Sequence, residues 1–231
     1  MNGRHSPAGW RSQSWERWWH AASRTRGWGL KRRVHAGAKV CSRSYALSME
    51  NDARGQISRV VIHKGRKFDY ESVQYVGKSG KVLTKQVVRH PGAVVIVPIL
   101  PGPGGEPHVA LIRSFRASLE RYILELPAGT REPGEDAAVT AGRELVEEIG
   151  YEAATLTEIG RFYTSPGLSD ELMVAYAATG LSHVGQRLEE DEDLTVELMS
   201  VEAAFAGIDS GELMDAKSML AMHLARGRGL I

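Results

Sequence analysis

The chain has 231 residues, 42% of them apolar and 25% charged, with a net charge of +1. This is the composition of a soluble globular protein of one or two domains, long enough to bury a sizeable core. The single cysteine, Cys41, excludes an internal disulfide, and no Cys/His spacing suits zinc. The longest apolar run, residues 93–100, is too short to span a bilayer and suits a buried strand, so no membrane association is expected. Charge is unevenly placed. Residues 1–50 hold ten Lys/Arg and two acids, which leaves 19 basic and 26 acidic residues for 51–231, a balance of −7. An acidic body is not expected to bind nucleic acid.

All five tryptophans (Trp10, Trp15, Trp18, Trp19 and Trp28) fall within the first thirty residues, with no helical or strand period. Residues 1–48 read as a basic, Trp-rich, disordered extension, with Met49 as a candidate true start. An arm that touches nucleic acid or membrane, and an Arg- and Ser-rich transit sequence, are the competing readings. From residue 59 the texture changes. Strands are predicted over 59–64, 67–76 and 81–90, with Gly65, Gly77 and Gly80 as turn residues. They make residues 49–90 a small antiparallel region ahead of a main domain, 91–231. That domain opens with a buried strand, 92–100, and an exposed loop, 101–107. Strands over 108–115 and 122–126 come next, then a helix over 136–149 that Gly150 closes. Strands near 155–164, 172–178 and 194–200 precede two helices, 201–208 and 214–225. Mixed strands with interspersed helices predict an α/β or α+β domain.

Other chemistries are weakly represented. Gly77, Lys78 and Ser79 look like the tail of a phosphate-binding loop. That motif needs a glycine where Ser72 stands and a helix where a strand follows, so a hairpin turn is the better reading. The histidines never take metal-ligand spacing, and no Gly-x-Ser-x-Gly elbow occurs.

The helix over 136–149 is the informative element. Glu144 and Glu148 are four residues apart and share a face, with Glu147 beside them; Ala137, Ala138, Ala141, Leu145 and Ile149 supply the apolar side. Like charges at this spacing repel, and glutamates at a helix C-terminus oppose the macrodipole. Clustered glutamates are ordinarily a solvated face. A divalent cation would offset the repulsion, and hard oxygen ligands suit Mg²⁺.

The spacing is specific. Gly129, five residues, Glu135, seven residues, Arg143, Glu144 and Leu145, one residue, Glu147 and Glu148, one residue, then Gly150: this resembles the Nudix box of the Nudix hydrolases. Tyr151 stands where the box usually ends on an aliphatic residue. The resemblance implies a Nudix α/β/α sandwich with a mixed sheet, and hydrolysis of a diphosphate with Mg²⁺ or Mn²⁺. It implies Glu144, Glu148 and the Ala128 carbonyl as metal ligands, with Glu147 a further ligand or support. Arg143 would orient the glutamates, Glu135 would brace the loop, and Gly129 would permit a tight turn.

Three segments resemble the ADP-ribose pyrophosphatase branch: Leu124 to Gly129 before the box, Thr164 to Glu171 with Pro166 sixteen residues after Gly150, and Asp209 to Ser218 near the end. In that branch a Glu-rich loop supplies a general base and another metal ligand. The acidic run 189–193 stands there, with Glu190 assigned to the base and Glu192 to the metal, or the reverse. Arg116 resembles an arginine that contacts substrate phosphates, although Ser114 and Phe115 replace its usual Gln-Tyr neighbours. Glu125 would contact the ribose or that arginine. Lys85 stands where the branch often has arginine, and lysine cannot make the same bidentate fork. Phe68 and Tyr70 could stack on adenine, though strand packing competes. The resemblance implies a cytoplasmic homodimer, paired through its N-terminal strands, that cleaves ADP-ribose to AMP and ribose 5-phosphate. Its alternatives are another substrate (GDP-mannose, ADP-glucose or an oxidised nucleotide) and a non-catalytic ADP-ribose sensor.

Overall fold

The computed structural model describes residues 58–190 and 192–231. The expectations for the extension 1–48 therefore lie outside the described residues, as does Asp191. Strand β4 (Ala93–Pro101) is the spine of the main domain. Its side chains alternate between two cores: Ala93, Val95 and Val97 enter one, Val94 and Ile96 the other. A strand buried on both faces needs an apolar residue at every position, which is why the run shows no polar alternation.

Around this spine lie β5 (Pro107–Arg116), β6 (Arg121–Glu125), β7 (Ala128–Thr130), β8 (Tyr151–Tyr163), β9 (Leu172–His183) and β10 (Leu194–Ser200). The seven strands form one mixed sheet with a central path β10–β5–β4–β9–β8; β6 pairs with β5 and β7 with β4. Strand β4 runs parallel to β9 and antiparallel to β5 and β7.

Helix α1 (Ala137–Glu144) and the turn after it cover one face through Ala141, Leu145 and Ile149. Helices α2 (Val201–Ser210) and α3 (Ala216–Gly227) cover the other through Val201, Ala204, Phe205, Ala221, Met222 and Ala225. The result is the α/β/α sandwich that the sequence implied. Each helix starts on a side-chain cap. Asp136 accepts from the Ala138 N–H at 2.8 Å, Ser200 from Ala203 at 3.1 Å and Asp215 from Ser218 at 3.0 Å.

Strands β1 (Ser58–Lys64), β2 (Asp69–Val76) and β3 (Val82–Arg89) form a separate antiparallel sheet. Gly80, at φ +76°, donates its N–H to the Gly77 carbonyl at 2.9 Å, so the Gly77–Lys78–Ser79 segment is a hairpin turn and not a phosphate loop. The small sheet is tied to the domain where Val88 donates to the Leu168 carbonyl at 2.9 Å and Arg89 pairs with both Glu71 and Asp170.

One local difference from the sequence reading bears on function. The helix predicted over 136–149 does not stay regular; Leu145–Ile149 is a π-helical turn, closed by Gly150 at φ +75°. The segment after β9 compensates. The Glu147 carbonyl accepts the Arg187 N–H at 3.1 Å, and the Glu148 carbonyl accepts the Gln186 side-chain amide at 2.6 Å. A Cβ on Gly150 would enter the left-handed region and lie 2.7 Å from the Gln186 nitrogen. Gly150→Ala is expected to lower unfolding free energy by about 1–2 kcal/mol. An unshifted urea midpoint would contradict that reading.

Candidate metal centre and substrate cleft

The box helix delivers its carboxylates toward β7. Glu144 and Glu148 are each only 5% exposed. Glu192 enters from the segment between β9 and β10, and each of the three offers an oxygen within 4.8 Å of the others. Glu148 accepts the Ala128 N–H at 2.8 Å. Arg143 holds the group together: its guanidinium lies 2.8 Å from Glu144, 2.7 Å from Glu147 and 3.5 Å from Glu135. Glu135 in turn accepts from the Glu132 N–H at 3.0 Å and the Thr140 hydroxyl at 2.9 Å. The first of these bonds does most to hold its carboxyl below the usual range. Burial works against the Arg143 charge, but Glu144, Glu135 and Glu147 outweigh it and keep it protonated.

Gly129 has a different reason from the one the sequence offered. It sits in β7 opposite Val94, without a positive φ. A Cβ there would meet the Glu144 carboxylate at 1.9 Å. The glycine is needed because a carboxylate passes over it, not because the chain turns there.

The cluster resists its own charge. Burial, above all, pushes Glu144 up to about 7; Glu147 adds to the rise and Arg143 opposes it. Burial and then the neighbouring Glu144 push Glu148 up to about 8. Glu144 and Glu148 are hard oxygen donors, pre-gathered and held back from ionising by burial. That donor set fits a divalent cation of the Mg²⁺ kind, whose charge would reverse the local preference.

A cleft of about 340 Å³ opens over the cluster; Lys67, Ser114, Arg116 and Glu189 also line it. An adjoining cavity of about 330 Å³ shares Arg116, Ala128, Gly129 and Thr130 with it and adds Thr164, Glu171 and Lys217. A third space, of about 670 Å³, lies between the small sheet and the box loop, lined by Phe68, Arg89 and Arg131 among others. Arg116 stands between the first two. It donates to the fully buried Glu125 at 2.7 Å, and Lys217 reaches that carboxylate from the other side.

The structure thus gathers Glu144, Glu148, Glu192, Ala128, Gly129, Arg143 and Arg116 at one cleft, with Glu125 behind Arg116. Glu190 is exposed and does not line it, whereas its neighbour Glu189 does. Lys85 and Tyr70 lie exposed on the small sheet, and Pro166 is exposed in the loop after β8; none of the three lines these cavities. Sequence reasoning missed Lys67, Glu189 and Lys217. Glu189 carried a signal as the first residue of the acidic run, and Lys217 as part of the segment after Asp209.

An arginine-clamped cluster of buried glutamates under a cleft is an arrangement that could hold a divalent cation. Comparison with known proteins narrows the class. Residues 89–219 match the NUDIX domain model. The chain is 39% identical to the ADP-ribose pyrophosphatase of Bacillus subtilis, covering 72% of this chain and 89% of that one. It is 38% identical to the methanol dehydrogenase activator of Bacillus methanolicus, over 63% of this chain and 77% of that one. A crystal structure of an ADP compounds hydrolase superposes with a TM-score of 0.64 at 25% identity, covering 76% of this chain and 96% of the other. The chain belongs to the Nudix family.

The raised values set a stability prediction. Unfolded, both carboxyls return to about 4.5, so the folded protein holds extra protons between about pH 4.5 and 8. Their contribution to stability is present at low pH and falls as pH rises through that window. In chelator, Glu148→Gln stays neutral and is expected to raise stability at pH 8 by about 2 kcal/mol, with little change at pH 4.5. Chemical unfolding at the two pH values checks this; a variant less stable than the parent at pH 8 would count against it.

Proposed function

We propose that the protein hydrolyses the diphosphate of ADP-ribose to AMP and ribose 5-phosphate, with Mg²⁺ or Mn²⁺ as cofactor. The observation that carries this is the convergence of Glu144, Glu148 and Glu192 within 4.8 Å in a chain 39% identical to an ADP-ribose pyrophosphatase. Glu144, Glu148 and Glu192 would hold the cation, with the Ala128 carbonyl as a further ligand. When bound, the ion neutralises the diphosphate and lowers the pKa of water.

The chain's own residues supply the rest. Arg116, held by Glu125 at the junction of two cavities, binds a phosphate of the substrate. Arg143 keeps Glu147 and Glu144 in place through its two ion pairs. A carboxylate of the acidic loop takes the proton of the attacking water. The water oxygen bonds to phosphorus as the bond to the bridging oxygen breaks. Glu189 is better placed for this than Glu190, since it lines the cleft. Phe68, on the large cavity beside the cleft, offers its ring to the adenine. Every box glutamate is present, which favours an enzyme over a sensor.

The same reading gives a homodimer formed through the small sheet. Val60, Val61 and Ile62 of β1, at one edge of that sheet, are 65%, 49% and 53% exposed. An edge strand this apolar, with no strand beside its outer edge among the described residues, is a surface for association. No helix among the described residues is long and apolar enough to cross a membrane; we place the protein in the cytoplasm.

A substrate panel tests the proposal. With Mg²⁺, release of AMP from ADP-ribose should exceed release of nucleotide from ADP-glucose, GDP-mannose and diadenosine phosphates. Glu148→Gln is expected to lower kcat by about a thousandfold or more while the far-ultraviolet spectrum is kept. Faster cleavage of GDP-mannose would overturn the substrate, and no release from any compound would overturn the enzyme.

A further inference from the structure

The acidic segment between β9 and β10 is short of apolar anchors, and its charges repel both one another and the glutamate cluster. Something must hold it over the cleft. At its start the hold is on the box helix: Val184 and Gly185 donate to the Gly150 carbonyl at 2.8 and 3.2 Å, Arg187 to the Glu147 carbonyl and Gln186 to the Glu148 carbonyl. In its middle the segment closes on itself. Glu192 donates its N–H to the Glu189 carbonyl at 3.1 Å, and the Glu189 N–H donates to a Glu192 carboxylate oxygen at 2.8 Å.

At its end the hold falls on Asp193, the residue next to Glu192. The Asp193 carbonyl accepts the Phe115 N–H at 3.0 Å, and its carboxylate accepts the Tyr122 hydroxyl at 2.5 Å. Tyr122 belongs to β6, 71 positions away in sequence, and its ring meets Phe115 edge-on at 5.3 Å between centroids. Its own side chain does not line the cleft.

We infer that Tyr122 is a positioning residue: by gripping Asp193 it sets the reach of Glu189 and Glu192 to the cation and the attacking water. The role rests on the hydrolytic reading above for its consequence in catalysis, but not for its consequence in metal binding. The hydroxyl is the part that acts. Removing it frees the Asp193 carboxylate while the backbone bond from Phe115 and the ring contact remain. The Glu189–Glu192 turn then keeps its internal bonds but loses its fixed position over the cleft.

The experiment is Tyr122→Phe in the full chain, read first by Mn²⁺ titration without substrate. Mn²⁺ should bind about tenfold more weakly, and kcat on ADP-ribose at fixed Mg²⁺ should fall about tenfold. KM should stay within about twofold and Tm within about 2 °C, because the half-exposed ring still packs. Asp193→Asn, which keeps an acceptor oxygen, should show a smaller loss, and the double variant should match Tyr122→Phe alone. Unchanged Mn²⁺ affinity in Tyr122→Phe would overturn the inference, as would losses that add in the double variant. If the parent binds Mn²⁺ but leaves ADP-ribose intact, the substrate reading fails while the titration still decides the role of Tyr122.

Discussion

Glu144 and Glu148 sit side by side at a sheet edge, almost sealed from water, and the architecture around them follows from that constraint. Two buried carboxylates repel each other and would prefer to be neutral, so the fold must hold them there by other means. Leu145 and Ile149 anchor one side of the turn in the core, Arg143 binds Glu144 from outside, and the Ala128 N–H fixes Glu148. The backbone of Gly129 leaves room for Glu144. Each of these is a stabilising contact set against an electrostatic cost that a bound cation would remove.

That balance explains several features that look unrelated. The box helix ends in a π-helical turn, and the segment after β9 satisfies the carbonyls which that turn presents. The same segment then continues into the acidic loop. The backbone support of the box and the placement of Glu189 and Glu192 are therefore one continuous stretch of chain. Glu125 is built on similar lines at the next position along the cleft: a fully buried carboxylate, neutralised by Arg116 and Lys217 from two sides. Arg116 is thereby fixed where the two cavities meet, with part of its guanidinium still open to a phosphate.

Much of this was legible in the sequence, and the boundary is physical. The strands of the main domain other than β7 were readable because β4 is apolar throughout and the turns carry glycine or proline. Glu144 and Glu148 were readable because helical spacing puts them on one face, and Arg143 through its place in the box. The π-helical turn was not, since Leu145 to Ile149 would also suit a regular helix; the departure depends on Gln186 and Arg187, far along the chain. Gly129 stands out in the sequence as a turn residue, but it lies in β7. Its requirement comes from a side chain fifteen residues later. In the acidic run, spacing has no period to read, so the sequence points to Glu190 and Glu192, whereas the fold brings Glu189 and Glu192 to the cleft. The pairs Glu125–Lys217 and Tyr122–Asp193 join residues 92 and 71 positions apart, and neither residue type announces its partner.

The most direct measurement is the anomalous diffraction of crystals grown with Mn²⁺ and a non-hydrolysable ADP-ribose analogue. The account predicts a peak bounded by Glu144, Glu148 and Glu192, with carboxylate oxygens at about 2.1 Å from the ion, as for Mg²⁺, and the diphosphate beside it against Arg116. Ions bound elsewhere, with the three carboxylates turned away from one another, would contradict it.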